Sequence, residues 1–189
     1  MQQKKLIVFT APSGAGKTTI VKHLLQKFDF LGFSISATTR EKRDHETNGL
    51  DYYFLSLAQF REKLEQKEFV EWEEVYDNQY YGTLKSEVER VWSTGKHILF
   101  DIDVKGAVSI KAAYPDQTLV VFVKPPSPEI LFERLRNRKT ETSESLRKRM
   151  ARAARELTYE DRFDKTLVND VLETTLSDAE RIIQDFISK

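Results

Sequence analysis

The stretch Leu6-Ile7-Val8-Phe9-Thr10-Ala11-Pro12-Ser13-Gly14-Ala15-Gly16-Lys17-Thr18 decides the reading of this chain. Its first four residues are apolar without alternation, the pattern of a strand covered on both faces. Pro12, Gly14 and Gly16 then impose a turn, and residues 17–28 carry a helical pattern. In a strand–turn–helix of this kind the glycines let consecutive backbone N–H groups converge on one concavity at a helix N-terminus. That is a nest for an anion.

Lys17 adds a mobile positive charge to the nest, and the Thr18 hydroxyl supplies an oxygen ligand suited to Mg2+. Ala11, Pro12, Ser13, Gly14, Ala15, Gly16, Lys17, Thr18 and Thr19 are therefore expected to cradle the phosphates of a nucleoside triphosphate, with Thr18 on the metal. The usual P-loop pattern begins with Gly where this chain has Ala11. A bare glycine-rich turn with a surface lysine is the alternative, and the flanking strand and helix argue against it. The loop alone leaves the acceptor open, because kinases, GTPases and ATPase motors all carry it.

Further apolar runs at 98–100 and 119–123 are each followed by a turn and a helical pattern. Helices are expected at 17–28, 57–68, 84–93, 104–113, 128–136, 143–158 and 175–188. Strands alternating with helices imply an α/β fold, a three-layer sandwich of the P-loop type with a parallel core sheet. In Ile98-Leu99-Phe100-Asp101-Ile102-Asp103 an apolar strand ends in acid. Such a strand delivers Asp101 beside the P-loop, where it can hold Mg2+ directly or through water. Two residues apart on a strand, Asp101 and Asp103 would share a face.

Two segments break the rhythm. Residues 32–83 carry short β-rich pieces (33–36, 52–55, 69–75, 79–81) around one helix and read as an inserted α+β lobe. Residues 127–162 read as a helical lid. From Arg134 to Arg155 there are nine Lys or Arg against two Glu, so something anionic suits that surface. The expected division is one domain over 4–185, with its core at 4–31, 84–126 and 163–189.

At 189 residues, 40% hydrophobic and 32% charged, the chain suits one globular unit. Equal numbers of basic and acidic residues, 30 each, argue against a general nucleic-acid binder. With no cysteine, disulfides and thiolate metal sites are excluded and a cytoplasmic home is expected. No apolar run approaches the ~20 residues of a membrane helix. His23, His45 and His97 lack metal-ligand spacing.

The insertion contains Phe33-Ser-Ile-Ser36-Ala-Thr-Thr-Arg40-Glu-Lys-Arg43, then Glu46 to Tyr52, Phe69-Val-Glu71-Trp and Tyr80-Tyr81-Gly82-Thr83. From about residue 6 to the end, this series resembles the guanylate kinase family. The resemblance implies transfer of the ATP γ-phosphoryl group to GMP, and to dGMP because no residue obviously tests for a ribose 2′-hydroxyl. It implies that Arg40, Arg43, Tyr52 and Tyr81 grip the GMP phosphate, as guanidinium forks and phenols suit that geometry. Glu71 would read guanine by accepting from N1–H and the exocyclic amine, which adenine cannot offer. Ser36 and Thr83 would lie near guanine O6 and Asp103 at the amine. Lys17, Arg134, Arg138 and Arg149 would stabilise the transferring phosphoryl group, and Asn169 would lie near the adenine. ATP and GMP are the implied partners, with no nucleic acid and no membrane, in a monomer or homodimer.

The chain departs from the family pattern at Ala11, at Lys42 for proline, at Asp44-His45 for a Pro-Gly-like turn, at Lys105 for glutamine and at Lys139 for glycine. The rival reading is a guanylate-kinase-like module that has lost catalysis and binds phosphopeptides. Such modules typically lack the intact Gly16-Lys17-Thr18 seen here.

Overall fold

The structure, a computed structural model, describes residues 4–136 and 143–189. Its centre is a five-stranded parallel sheet built from β1 (Leu6–Thr10), β2 (Leu31–Phe33), β7 (His97–Asp101), β8 (Thr118–Lys124) and β9 (Lys165–Val168). The spatial order is β2-β7-β1-β8-β9. β1 thus lies between β7 and β8, where the chain order reverses, and the carboxyl edge there is the usual ligand crevice of an open α/β sheet.

Unbroken apolar runs form β1, β7 and β8 because each face of the sheet has its own cover. Ile7, Phe9, Leu99 and Val121 pack with Ile20, Val21 and Leu24 of α1 (Lys17–Lys27) and with Ala179 and Ile183 of α7 (Leu172–Ile187). Leu6, Val8, Ile98, Phe100 and Val120 point the other way, onto Val88 and Val91 of α3 (Lys85–Ser93) and Ala107 and Ile110 of α4 (Val104–Ala113). Adjacent residues of β1 therefore serve opposite layers, the period-two alternation of a strand applied to two apolar faces.

A second sheet, ordered β4-β3-β6-β5, is made of β3 (Ala37–Thr38), β4 (Tyr53–Phe54), β5 (Phe69–Tyr76) and β6 (Gln79–Leu84). Its small core of Ala37, Phe60, Phe69 and Leu84 is closed by α2 (Leu57–Glu65). Ser56 starts that helix through a capping box with Gln59. The basic segment forms α5 (Pro128–Arg136) and α6 (Ser143–Leu157).

Two expectations are corrected. The piece at 33–36 was expected as a strand of the inserted lobe, but Phe33 ends β2, which pairs with β7 in the core sheet. Three residues are too few to display a period. Asp103 does not share a strand face with Asp101, because β7 ends at Asp101 and Asp103 is the N-cap of α4. Its Oδ1 accepts from the N–H groups of Lys105 and Gly106 at 3.1 and 2.9 Å. A carboxylate at that position satisfies otherwise orphaned helix donors.

Candidate active site

The P-loop joins the end of β1 to the start of α1. Gly14 and Gly16 stand at φ 94° and 90°, a left-handed conformation that a side chain disfavours. Space forbids a side chain at Gly16 as well: a Cβ there would come within 2.3 Å of Asn169 Nδ2. The same Nδ2 donates to the Ala15 carbonyl at 2.7 Å, and Asn169 is itself buried. The end of β9 thereby fixes the loop's shape, an arrangement between residues far apart in the chain.

Register sets the next group. Phe9 is paired with Asp101 across β1 and β7, which brings the acid beside the loop. Asp101 Oδ1 lies 2.5 Å from Lys17 Nζ, and Asp101 Oδ2 accepts from the Thr18 hydroxyl at 3.1 Å. Lys17 Nζ also donates to the Ile102 carbonyl at 2.7 Å. From the helical segment, Arg149 donates to Ser13 Oγ at 2.8 Å and Arg134 to the Asn169 carbonyl at 3.2 Å. Arg138 lies outside the described residues. The groove over the loop, about 340 Å3, is lined by residues from Ala11 to Thr19 and closed by Tyr76, Arg149 and Arg152.

A second cleft of about 200 Å3 opens next to it, lined among others by Ser36, Tyr52, Glu71, Tyr81 and Asp103. At its inner end Glu71 is buried, and its Oε1 accepts from Thr83 Oγ1 at 2.6 Å. Burial pushes the Glu71 carboxyl up to about 7 from the usual 4.5, against the pull of the Thr83 hydrogen bond. Thr83 itself is fully buried, with its hydroxyl turned to Glu71.

At the outer end Arg40 is clamped. Its guanidinium makes a two-pronged pair with Glu46 at 2.7 and 3.0 Å, and its Nε donates to Tyr81 Oη at 3.3 Å. The rings of Tyr52 and Phe54 lie 5.3 and 5.7 Å away, within cation–π reach. The Arg40 guanidinium, helped by the Arg43 N–H, lowers the Glu46 carboxyl to about 2. Burial raises the Tyr52 phenol to about 12. Arg43 is exposed, and its backbone N–H donates to Glu46 Oε2 at 2.8 Å. The unusual loop from Arg43 to Tyr52 is held by local bonds, Thr47 N–H to Asp51 Oδ2 and Gly49 N–H to the Tyr52 carbonyl. Lys42 donates to the Glu46 carbonyl, and Lys105 pairs with Glu73 at 3.0 Å.

The two clefts share four walls: Lys17, Asp101, Asp103 and Arg152. Glu46 and Arg152 were absent from the sequence-derived site. Glu46 offered one clue, its position between Arg40 and Tyr52 in a motif that resembles a family. Arg152 was visible only as one cation among nine.

Comparison with known proteins bears on this pairing of a phosphate loop with a second, acid-ended cleft. The guanylate kinase family model matches residues 3–186. The chain belongs to the guanylate kinase family. A protein of Porphyromonas gingivalis named guanylate kinase is 48% identical over 186 residues, covering 98% of this chain and 99% of that protein. One from Salinibacter ruber with the same name is 45% identical over the whole of both chains. The crystal structure of guanylate kinase from Anaplasma phagocytophilum superposes with a TM-score of 0.78 at 25% identity, covering 100% of this chain and 89% of that one. As a guanylate kinase family member the protein has the expected α/β core, and the catalytically silent rival is not favoured. Among the described residues, no helix is long and apolar enough to cross a membrane.

Proposed function

We infer that the protein is an ATP:GMP phosphotransferase, giving ADP and GDP, and that dGMP serves as a second acceptor. The observation that carries this is the shared wall. A cleft ending in a buried carboxylate opens directly onto a P-loop, with Lys17 at the junction. Two phosphate-bearing ligands in those clefts would meet end to end, the arrangement an in-line transfer requires.

In this reading ATP lies along Ala11–Thr19 with its adenine toward Asn169. GMP lies in the second cleft, its phosphate on Arg40, Arg43, Tyr52 and Tyr81 and its guanine on Glu71, with Ser36 and Asp103 around the base and the buried Thr83 behind Glu71. The exposed Arg43 would have to fold inward to take part. Lys17, Arg134, Arg138 and Arg149 stabilise charge on the transferred group. No side-chain base is needed, because the attacking phosphate oxygen of GMP is already ionised.

The Thr18 hydroxyl and the Asp101 carboxylate, hydrogen-bonded at 3.1 Å beside the loop, are the hard oxygen donors Mg2+ prefers. Thr18 would hold the ion directly and Asp101 directly or through water, and the ion would neutralise charge on the β- and γ-phosphates. Residues 34–83 act as the GMP lobe, 127–162 as the lid and the remainder as the core. Their closure excludes water, whose attack would waste ATP. Activity in the cytoplasm, as a monomer or homodimer, completes the reading.

A coupled assay with ATP and Mg2+ across GMP, dGMP, AMP, CMP, UMP and dTMP tests it. GMP and dGMP are expected to lead the other four by orders of magnitude, and EDTA should abolish turnover. Preference for a different base would refute the Glu71 assignment, and ATP binding with no acceptor used would refute the transferase.

A further inference from the structure

Arg152 lies where three clefts of the active-site region meet. It lines the acceptor cleft, the P-loop groove and a third hollow behind the acceptor cleft. Its Nε donates to Glu156 Oε1 at 2.6 Å, and its Nη2 donates to Asp103 Oδ2 at 3.1 Å. The Tyr76 ring of β5 lies 5.6 Å from the guanidinium carbon. Glu156 is buried, and its other oxygen accepts from the Ser13 N–H of the P-loop at 3.4 Å. Arg149, three residues before Arg152 and so on the same side of α6, donates to Ser13 Oγ.

These bonds form one continuous polar path from the acceptor cleft to the P-loop. It runs from Asp103 through Arg152 and Glu156 to the backbone of Ser13. One oxygen of Asp103 is committed to capping α4, and the other is held by Arg152. Charge points the same way. The acceptor cleft is lined by four acids (Glu71, Glu73, Asp101, Asp103) and two cations, Lys17 and Arg152. Without Arg152, an anionic ligand entering there would meet a strongly negative wall.

Building on the acceptor assignment above, we propose that Arg152 is a positioning residue that couples the two nucleotide sites. A base that donates to Asp103 engages a carboxylate already tied to α6. Filling the acceptor cleft therefore firms the docking of α6 on the P-loop through Glu156 and Arg149, and ATP then binds to a loop already held. The reciprocal effect is required by linkage. The role needs arginine. Two N–H groups in one plane reach two carboxylates at once, whereas a lysine ammonium is a single charged point with no such fork.

The test is calorimetric. The Kd of Mg2+ with a non-hydrolysable ATP analogue is measured with and without saturating GMP, in the intact chain. The wild type should bind the analogue about 5–20-fold more tightly with GMP present, within the usual size of such couplings. In Arg152→Ala that ratio should fall to within about twofold of one, whatever the change in the Kd of the analogue alone. Because Ala leaves Glu156 buried without its partner, Arg152→Lys serves as a second variant. It retains the charge and the fold, and should also lose most of the coupling. A folded variant of either kind with the wild-type ratio overturns the proposal, and so does a wild-type ratio of one. A wild type that gives no GMP heat at all would remove the acceptor reading and this proposal together, whereas GMP binding without coupling removes this proposal alone.

Discussion

Thr83 and Glu71 face each other across β5 and β6, and the Thr83 hydroxyl donates to the Glu71 carboxylate at 2.6 Å where neither residue exceeds 6% exposure. The bond orients the acid and keeps it from seeking another partner. A Cβ on Gly106 would come within 2.8 Å of Glu71 Oε2, so the first turn of α4 leaves that oxygen just enough room. The result is a fixed, poorly hydrated carboxylate at the end of a cleft. A group of that kind can discriminate strongly between bases, since a base without the matching donors leaves it unpaired.

Glu71→Gln tests both halves of that statement. The amide keeps an acceptor for Thr83 but offers the base one acceptor and one donor in place of two acceptors. The GMP KM should rise about 10–100-fold, with the ATP KM nearly unchanged. In the wild type the GMP KM should also rise as pH falls below about 7, where the free carboxyl takes a proton. Stability moves the opposite way. A folded pKa above the unfolded value stabilises the fold in acid, and that stabilisation is lost as pH rises from 4.5 through about 7. Glu71→Gln escapes the loss, so urea unfolding should find it more stable than wild type by about 1–3 kcal/mol at pH 8 and no more stable at pH 4. A gap independent of pH would contradict the buried-charge account.

Lys17→Ala removes the cation at the junction of the two clefts. Turnover should fall by at least about 10²–10³-fold, the scale of losing one preorganised electrostatic donor. The GMP Kd, read by calorimetry, should stay within about threefold of wild type. A variant that retains full turnover would show that the P-loop does not serve the chemistry.

Glu46 holds Arg40 by two hydrogen bonds and also accepts from the Arg43 N–H. Replacing it with Gln leaves Arg40 charged but no longer clamped. Small misplacements of such a group cost up to about 10²-fold, so kcat/KM for GMP should drop about 10–100-fold with ATP binding untouched. Because the folded Glu46 carboxyl sits near 2, its contribution to stability is present above 4.5 and lost as pH falls toward 2. The stability difference between wild type and Glu46→Gln should therefore shrink across that interval, which thermal unfolding at several pH values will measure.

Asn169 ties the last core strand to the P-loop through Ala15 and occupies the space a side chain at Gly16 would need. Gly16→Ala should lose ATP binding and destabilise the fold by about 1–3 kcal/mol, combining an unfavourable φ with a steric clash. Asn169→Ala removes one neutral hydrogen bond, worth about 1 kcal/mol, and should weaken ATP several-fold while the fold persists. Equal ATP affinity in Asn169→Ala and wild type would mean that the P-loop holds its shape unaided.

The order in which the site became legible follows the range of the interactions. The P-loop, the strand ending at Asp101 and the apolar runs of β1, β7 and β8 are local patterns, each readable within a dozen residues. Glu71, Arg40 and Tyr81 were readable only through resemblance, since each alone looks like an ordinary exposed strand or loop residue. β2 was misassigned because a three-residue strand receives its identity from the neighbour it pairs with. Asp103 was misread because nothing in Asp-Ile-Asp marks where β7 stops and the cap of α4 begins.

Composition and short-range pattern alone determined that this chain builds a parallel α/β core around a phosphate-binding turn. The period of the apolar residues and the glycines of the turn are both written within such short spans. Only the folded arrangement decided which polar groups meet: Asn169 with Ala15, Arg40 with Glu46, and Arg152 with Asp103 and Glu156. Those pairings depend on the packing of whole elements against one another, and a Coulombic contact of about 3 Å gives no sign in the linear chain until packing has closed the distance.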